Sequence, residues 1–195
     1  AVRSRGLGDV YKRQITYFVN NKFNMNIILL GFMGSGKTSI GKLLSEQINF
    51  NFIDSDLEIE KRNQMSINNI FQKQGELFFR NKEKELLNEI IIKDNIVFAT
   101  GGGLPCNISN IKKLNDFGLT IYLRLSNKEL YKRLKKQNKT RPLINNLINN
   151  DLKEFIRKSL KKREEFYFQS NCIIECDKIS EKEILRKINT FITSC

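Results

Sequence analysis

The sequence predicts an α/β fold of three αβα layers, built on a five-stranded parallel sheet and carrying a mobile lid. Three observations predict it. Short, wholly apolar runs such as Ile27-Ile28-Leu29-Leu30 stand between stretches of helical period, and a strand apolar on both sides belongs in a parallel sheet covered on both faces. Strand and helix patterns alternate along the chain, which argues a right-handed βαβ series. The first strand also runs directly into a glycine-rich loop that opens a helix.

Each element follows from local pattern. Apolar runs place strands at 26–30, 50–54, 96–100, 119–125 and 172–176, the first of them, ending at Gly31, read as a buried parallel strand. Helical spacing continues from the glycine-rich loop through Leu44 and recurs at 57–63, 66–74, 76–93, 108–116, 127–137, 152–168 and 181–191. The Asn-rich stretch 145–150, glycine-free and following Pro142, reads as a mobile surface loop. Residues 1–24 show neither period nor the apolar core of a signal peptide, and Arg3-Ser4-Arg5-Gly6-Leu7-Gly8 resembles translated flanking sequence. We therefore read 1–24 as a non-native or flanking extension, expected to be disordered, with Met25 as the natural start and 25–195 as one domain. A transit peptide is the alternative for this basic, acid-poor segment.

Composition narrows the function classes. With 195 residues, 40% hydrophobic and 28% charged, the chain is neither disordered, collagen-like nor coiled-coil. Its apolar runs are far shorter than the roughly 20 residues that span a bilayer. Histidine is absent, which excludes histidine triads and histidine metal sites and leaves acid–base chemistry to Asp, Glu, Lys, Arg or Tyr. Cys106, Cys172, Cys176 and Cys195 form no Cys-x-x-Cys pair, so they read as reduced thiols in a cytoplasmic protein. The net charge of +13 invites a nucleic-acid reading, but residues 1–24 alone hold five basic side chains against one acidic, and the remaining surplus is spread through helices. A phosphate-rich small substrate accounts for part of it, because basic residues lining such a pocket need no acidic partners.

The loop Gly31-Phe32-Met33-Gly34-Ser35-Gly36-Lys37-Thr38 fits G-x-x-x-x-G-K-[ST] at every position, between a strand and a helix. This is a P-loop in its proper context. Its glycines let backbone N–H groups cradle a β-phosphate, the helix N-terminus adds its positive end, Lys37 reaches the β/γ oxygens, and the Thr38 hydroxyl can bind Mg²⁺. A plain turn closing a strand–helix connection is the bland alternative.

The second strand ends in Asp54-Ser55-Asp56, and the carboxyl edge of a parallel sheet is where ligands bind. Alternation along the strand is expected to separate the two carboxylates, one toward Mg²⁺ or its waters, the other toward an acceptor hydroxyl. Either could instead cap a helix, and Ser55 between them reads as a conservative spacer. The third strand runs into Gly101-Gly102-Gly103, costly in backbone entropy unless something approaches the backbone closely. Arg80 follows Phe78-Phe79 on an apolar helix face, which points it inward, where an arginine demands an anion.

From Met25 to about Phe191 the chain resembles the shikimate kinases, of the nucleoside-monophosphate-kinase-like P-loop group. The resemblance rests on residues 31–38, Asp54-Ser55-Asp56, Gly75-Glu76-x-x-Phe79-Arg80 with Glu83, Gly101-Gly102-Gly103, Arg141-Pro142-Leu143, and Lys162-Arg163 before Tyr167, in the family's order. It implies that Gly34, Ser35, Gly36, Lys37, Thr38 and Ser39 bind ATP phosphates, and that Thr38, with Asp54 through water, holds Mg²⁺. It further implies that Asp56, Arg80, the Gly101–Gly103 backbone and Arg163 bind shikimate, with Asp56 at the hydroxyl phosphorylated and the two arginines on the carboxylate. Arg141 is assigned to the closing lid, neutralising charge on the transferring phosphoryl group as Lys37 does, and Arg133 to the adenine. Arg157 and Lys162 share the helix of Arg163 and compete for its role.

The reaction so implied is phosphorylation of shikimate to shikimate 3-phosphate, a step of aromatic amino-acid (chorismate) biosynthesis, by a monomer binding neither nucleic acid nor membrane. Alternatives are a gluconate-kinase-like or other small-molecule P-loop kinase, and a non-catalytic nucleotide-binding regulator. The Asp-x-Asp pair and the glycine run suit a polyhydroxylated carboxylic acid better than a nucleotide base.

Overall fold

The structure is a computed structural model describing residues 26–137, 144, 147 and 149–194. The extension over 1–24, Met25, Arg141 and Cys195 lie outside the described residues. Five strands, β1 (Asn26–Leu30), β2 (Asn51–Asp54), β3 (Ile96–Ala99), β4 (Gly118–Arg124) and β5 (Cys172–Glu175), form one sheet in the order β2-β3-β1-β4-β5. Every neighbouring pair is parallel. The helices are α1 (Lys37–Ile48), α2 (Ser55–Asn63), α3 (Ile67–Ile90), α4 (Ile108–Phe117), α5 (Asn127–Gln137), α6 (Asn149–Tyr167) and α7 (Glu181–Ser194).

Burial explains why these runs are strands. All five residues of β1 and all four of β3 are buried, as expected where helices cover both sheet faces. The edge strand β2 carries only exposed and half-buried side chains. Each fully buried Ile or Leu here contributes roughly 1.5–3 kcal/mol relative to exposure.

Element boundaries depart from pattern where caps intervene. Helix α2 starts at Ser55 rather than at residue 57, because Asp54 Oδ1 accepts from the Asp56 and Leu57 N–H groups at 3.0 and 3.3 Å. The helices expected at 66–74 and 76–93 are both present as the two halves of α3, the first capped by Ser66 on the Asn69 N–H, and they meet in a kink at Gly75, whose φ of 82° and ψ of 170° are not helical. Strand β3 stops at Ala99, although the Thr100 N–H still bonds Leu29 O at 3.1 Å. Just before the Asn-rich stretch Ile144 is fully buried in the core, and within the stretch Leu147 packs against that core.

The chain leaves β1 for the edge strand β2, returns to β3 beside β1, and crosses to β4 on the other side of β1. The carboxyl ends of β1, β3 and β2 thus lie side by side, and the glycine-rich loop, the Gly101 turn and the Asp54 corner project from one edge.

Candidate active site

At the end of β1, Gly34 (φ 81°) and Gly36 (φ 98°) adopt left-handed backbone, which only glycine takes without strain. These turns bring α1 to start at Lys37 with Gly36 as its cap and no side-chain cap bond. The first N–H groups of α1 are therefore offered to an anion rather than to a capping side chain. Lys37 Nζ donates to Gly31 O and Phe32 O at 2.9 and 3.1 Å. Ser35 is buried beneath the loop, its Oγ without a hydrogen-bond partner among the described residues, and Ser39 is exposed on the first turn of α1. From α5, Arg133 reaches the loop, Nη1 donating to Gly34 O at 3.4 Å while Nε is held by Glu129 at 3.2 Å.

Asp54 serves two partners at once. Its Oδ1 caps α2, and its Oδ2 accepts from the Thr38 hydroxyl at 2.6 Å. Helix cap and metal-side carboxylate are thus compatible readings of one residue. The expected separation of Asp54 from Asp56 by strand alternation needs correcting, since residues two apart on a strand share a face. What separates them is the change from strand to helix between Asp54 and Ser55.

The Gly101–Gly103 turn is where the predicted acceptor residues converge. A Cβ on Gly101 would collide with Asp56 Oδ1 and lie 2.9 Å from Glu83 Oε1; on Gly102 it would lie 3.2 Å from Arg163 Nη1, and on Gly103 2.5 Å from Arg80 Nη1. Glycine is required here because side chains from three helices press on the backbone. Arg163 stacks over Phe32 of the P-loop, 5.3 Å from the ring centroid. Its competitors point elsewhere: Arg157 is exposed and bonds Glu154 at 2.7 Å, and Lys162 is exposed.

Arg80 has the anion that its inward direction demands. Nη1 donates to Glu83 Oε2 at 2.7 Å and Nη2 to Glu76 Oε1 at 2.9 Å. Glu83 is buried, and its Oε1 has no hydrogen-bond partner among the described residues. Burial pushes its pKa up to about 7 against the opposing pull of Arg80, with the Asp56 charge adding to the rise.

The family model described as "Shikimate kinase" matches residues 33–193. The chain belongs to the shikimate kinase family. The shikimate kinase of Flavobacterium psychrophilum is 40% identical over 168 residues, covering 85% of this chain and 98% of that protein; that of Azobacteroides pseudotrichonymphae is 40% identical over 163 residues, covering 83% and 96%. Among solved structures, the shikimate kinase from Acinetobacter baumannii in complex with shikimate superposes with a TM-score of 0.82 at 33% identity, covering 92% of this chain and 97% of that one. A gluconokinase from Sinorhizobium meliloti, at 15% identity and a TM-score of 0.58, shares the fold alone. As a member of the shikimate kinase family the chain is a phosphotransferase, and the family generally uses ATP.

Two residues of this shikimate kinase site carry more than the sequence reading gave them. Ser55, read as a spacer, is fully buried; its Oγ accepts from the Gly101 N–H at 2.6 Å and faces Asp56 Oδ1 at 3.5 Å. Glu83 appeared only as part of a motif. Its position three residues after Arg80 was the available signal, since i,i+3 pairs meet on a helix.

Proposed function

We infer that the chain transfers the γ-phosphoryl group of ATP to the 3-hydroxyl of shikimate, yielding shikimate 3-phosphate and ADP, a step of aromatic amino-acid biosynthesis. The observation that carries this reading is the convergence of Asp56, Arg80 and Arg163 on the Gly101–Gly103 turn, one loop away from Lys37 and Thr38. One carboxylate and two guanidinium groups around a bare backbone suit an acceptor that is both an anion and a polyol.

Roles follow from chemistry. Arg80 and Arg163 clamp the acceptor carboxylate, and the glycine backbone leaves room for its ring. Asp56 orients the attacking hydroxyl and accepts its proton, while the N-terminus of α1, Gly34, Ser35, Gly36 and Ser39 hold the phosphates. Lys37 neutralises charge on the transferred group, with Arg141, and Arg133, whose Nη1 reaches Gly34 O, stacks on the adenine. Thr38 Oγ1 and Asp54 Oδ2 form a pair of hard oxygen donors that fits Mg²⁺, which keeps several waters and few protein ligands. Thr38, and Asp54 through water, would hold that ion, which when bound supplies positive charge to the β- and γ-phosphoryl oxygens.

The reading extends to one kinase domain over 25–195, supported by the family match over 33–193, and to a monomer. Among the described residues no helix is long and apolar enough to cross a membrane, and Cys106, Cys172 and Cys176 form no disulfide. The cytoplasm is the compartment we propose, from membership of the shikimate kinase family. A coupled ADP-release assay with Mg²⁺ and ATP, offering shikimate, gluconate, AMP or no acceptor, tests the function. Turnover is expected with shikimate alone; turnover only with another acceptor overturns the substrate and the roles of Asp56, Arg80 and Arg163.

A further inference from the structure

The Gly102 carbonyl is the meeting point of two donors outside the clamp just described. The Tyr167 hydroxyl donates to it in a short hydrogen bond, and the Cys106 thiol donates to the same oxygen at 3.4 Å. Tyr167 is fully buried at the end of α6, its ring packed on Tyr122 with centroids 5.0 Å apart. Burial holds its hydroxyl protonated well above the ordinary tyrosine range and pushes the Cys106 thiol up to about 11. Both groups are therefore donors at neutral pH.

Three consecutive glycines have no side chains to bias their own backbone, so the turn is ordered by hydrogen bonds, two of them local, from the Leu104 N–H to Gly101 O at 3.2 Å and from the Cys106 N–H to Gly103 O at 3.0 Å, and the others from outside. Its entry is held by the Gly101 N–H on Ser55. Its exit is held at the Gly102 carbonyl. Because a trans peptide is planar, fixing that carbonyl also fixes the Gly103 N–H in the opposite direction. Tyr167 follows Arg163 by four residues on α6, so one helix face presents both. The Tyr167 bond thereby sets the turn at the distance from Arg163 that leaves only 3.2 Å for a Cβ on Gly102.

We propose that Tyr167 is a positioning residue for the acceptor. Its hydroxyl, assisted by the Cys106 thiol, locks the Gly102–Gly103 peptide to α6 and so fixes the glycine turn against Arg163 and Arg80. The consequence for catalysis rests on the kinase reading above; the anchoring itself does not.

The test compares the full chain with Tyr167→Phe, which keeps the ring against Tyr122 and removes one oxygen, and with Cys106→Ala. Two readouts are needed: amide hydrogen exchange over residues 100–106, and steady-state kinetics with each substrate varied. In Tyr167→Phe, exchange in the turn is expected to quicken about tenfold while β1 is unchanged, and KM for shikimate to rise ~5–15-fold with KM for ATP within about twofold, the scale of one lost hydrogen bond. Cys106→Ala is expected to show the same pattern at about a twofold level. A lowered Tm with the turn's exchange and both KM values unmoved gives Tyr167 a packing role only and overturns the proposal. Unchanged exchange overturns it whichever acceptor the wild type uses. Faster exchange in a wild type that turns over a different acidic acceptor leaves the anchor standing and removes only shikimate.

Discussion

The Thr38 hydroxyl and Asp54 Oδ2 stand 2.6 Å apart, joining the first turn of the P-loop helix to the end of the neighbouring-but-one strand. Asp54→Asn keeps an oxygen to cap α2 but removes the charge. The Mg²⁺ concentration for half-maximal turnover is expected to rise about 10-fold or more, measured by ADP release at fixed ATP. An unchanged Mg²⁺ requirement takes Asp54 out of the metal's surroundings.

Asp56 tests the proton-accepting role. Asp56→Asn is expected to lower kcat by about 10²–10⁴-fold, the usual weight of a general base, with KM for ATP within about twofold. Parallel loss of nucleotide binding, read by titration of ATP, would instead make Asp56 part of the loop's architecture.

Gly103→Ala probes the clamp without touching a charge. A Cβ there would lie 2.5 Å from Arg80 Nη1, and the guanidinium is held from behind by Glu83 and Glu76. Displacing it is expected to raise KM for shikimate about 10-fold or more, while ATP binding stays put. Equal kinetics for variant and wild type would show that Arg80 is not on the acceptor.

Glu83 predicts a pH dependence of stability. Its pKa in the folded protein is raised to about 7 from an ordinary 4.5, so between those values the unfolded chain ionises while the folded one holds its proton. The stabilising contribution is full below about pH 4.5 and is lost as pH rises through about 7. Urea unfolding of wild type and Glu83→Gln across pH 4.5–8 is expected to diverge by on the order of 3 kcal/mol, the wild type losing stability relative to the variant. Parallel curves would mean that Arg80 fully compensates the buried charge.

The sequence alone determined where the strands run, because each is marked by a short apolar run, although the edge strands β2 and β5 are mostly exposed or half-buried, and it determined the phosphate loop, because that chemistry is written in eight consecutive residues, Gly31 to Thr38. It also brought Asp56, Arg80, Gly102 and Arg163 together, through motifs in order rather than through spacing. Only the tertiary structure decided how they meet. Whether Arg157, Lys162 or Arg163 faces the turn depends on the angle at which α6 lies over Phe32, which no local pattern encodes. Ser55 and Tyr167 were legible as residues and silent as partners for the same reason, whereas the Glu83–Arg80 pair had a local signal in its spacing. A hydroxyl's partner is set by groups 46 and 65 residues away in the chain, adjacent only once the sheet has formed, and the pKa of Glu83, whose Arg80 partner is local to the helix, is set by its burial and by Asp56.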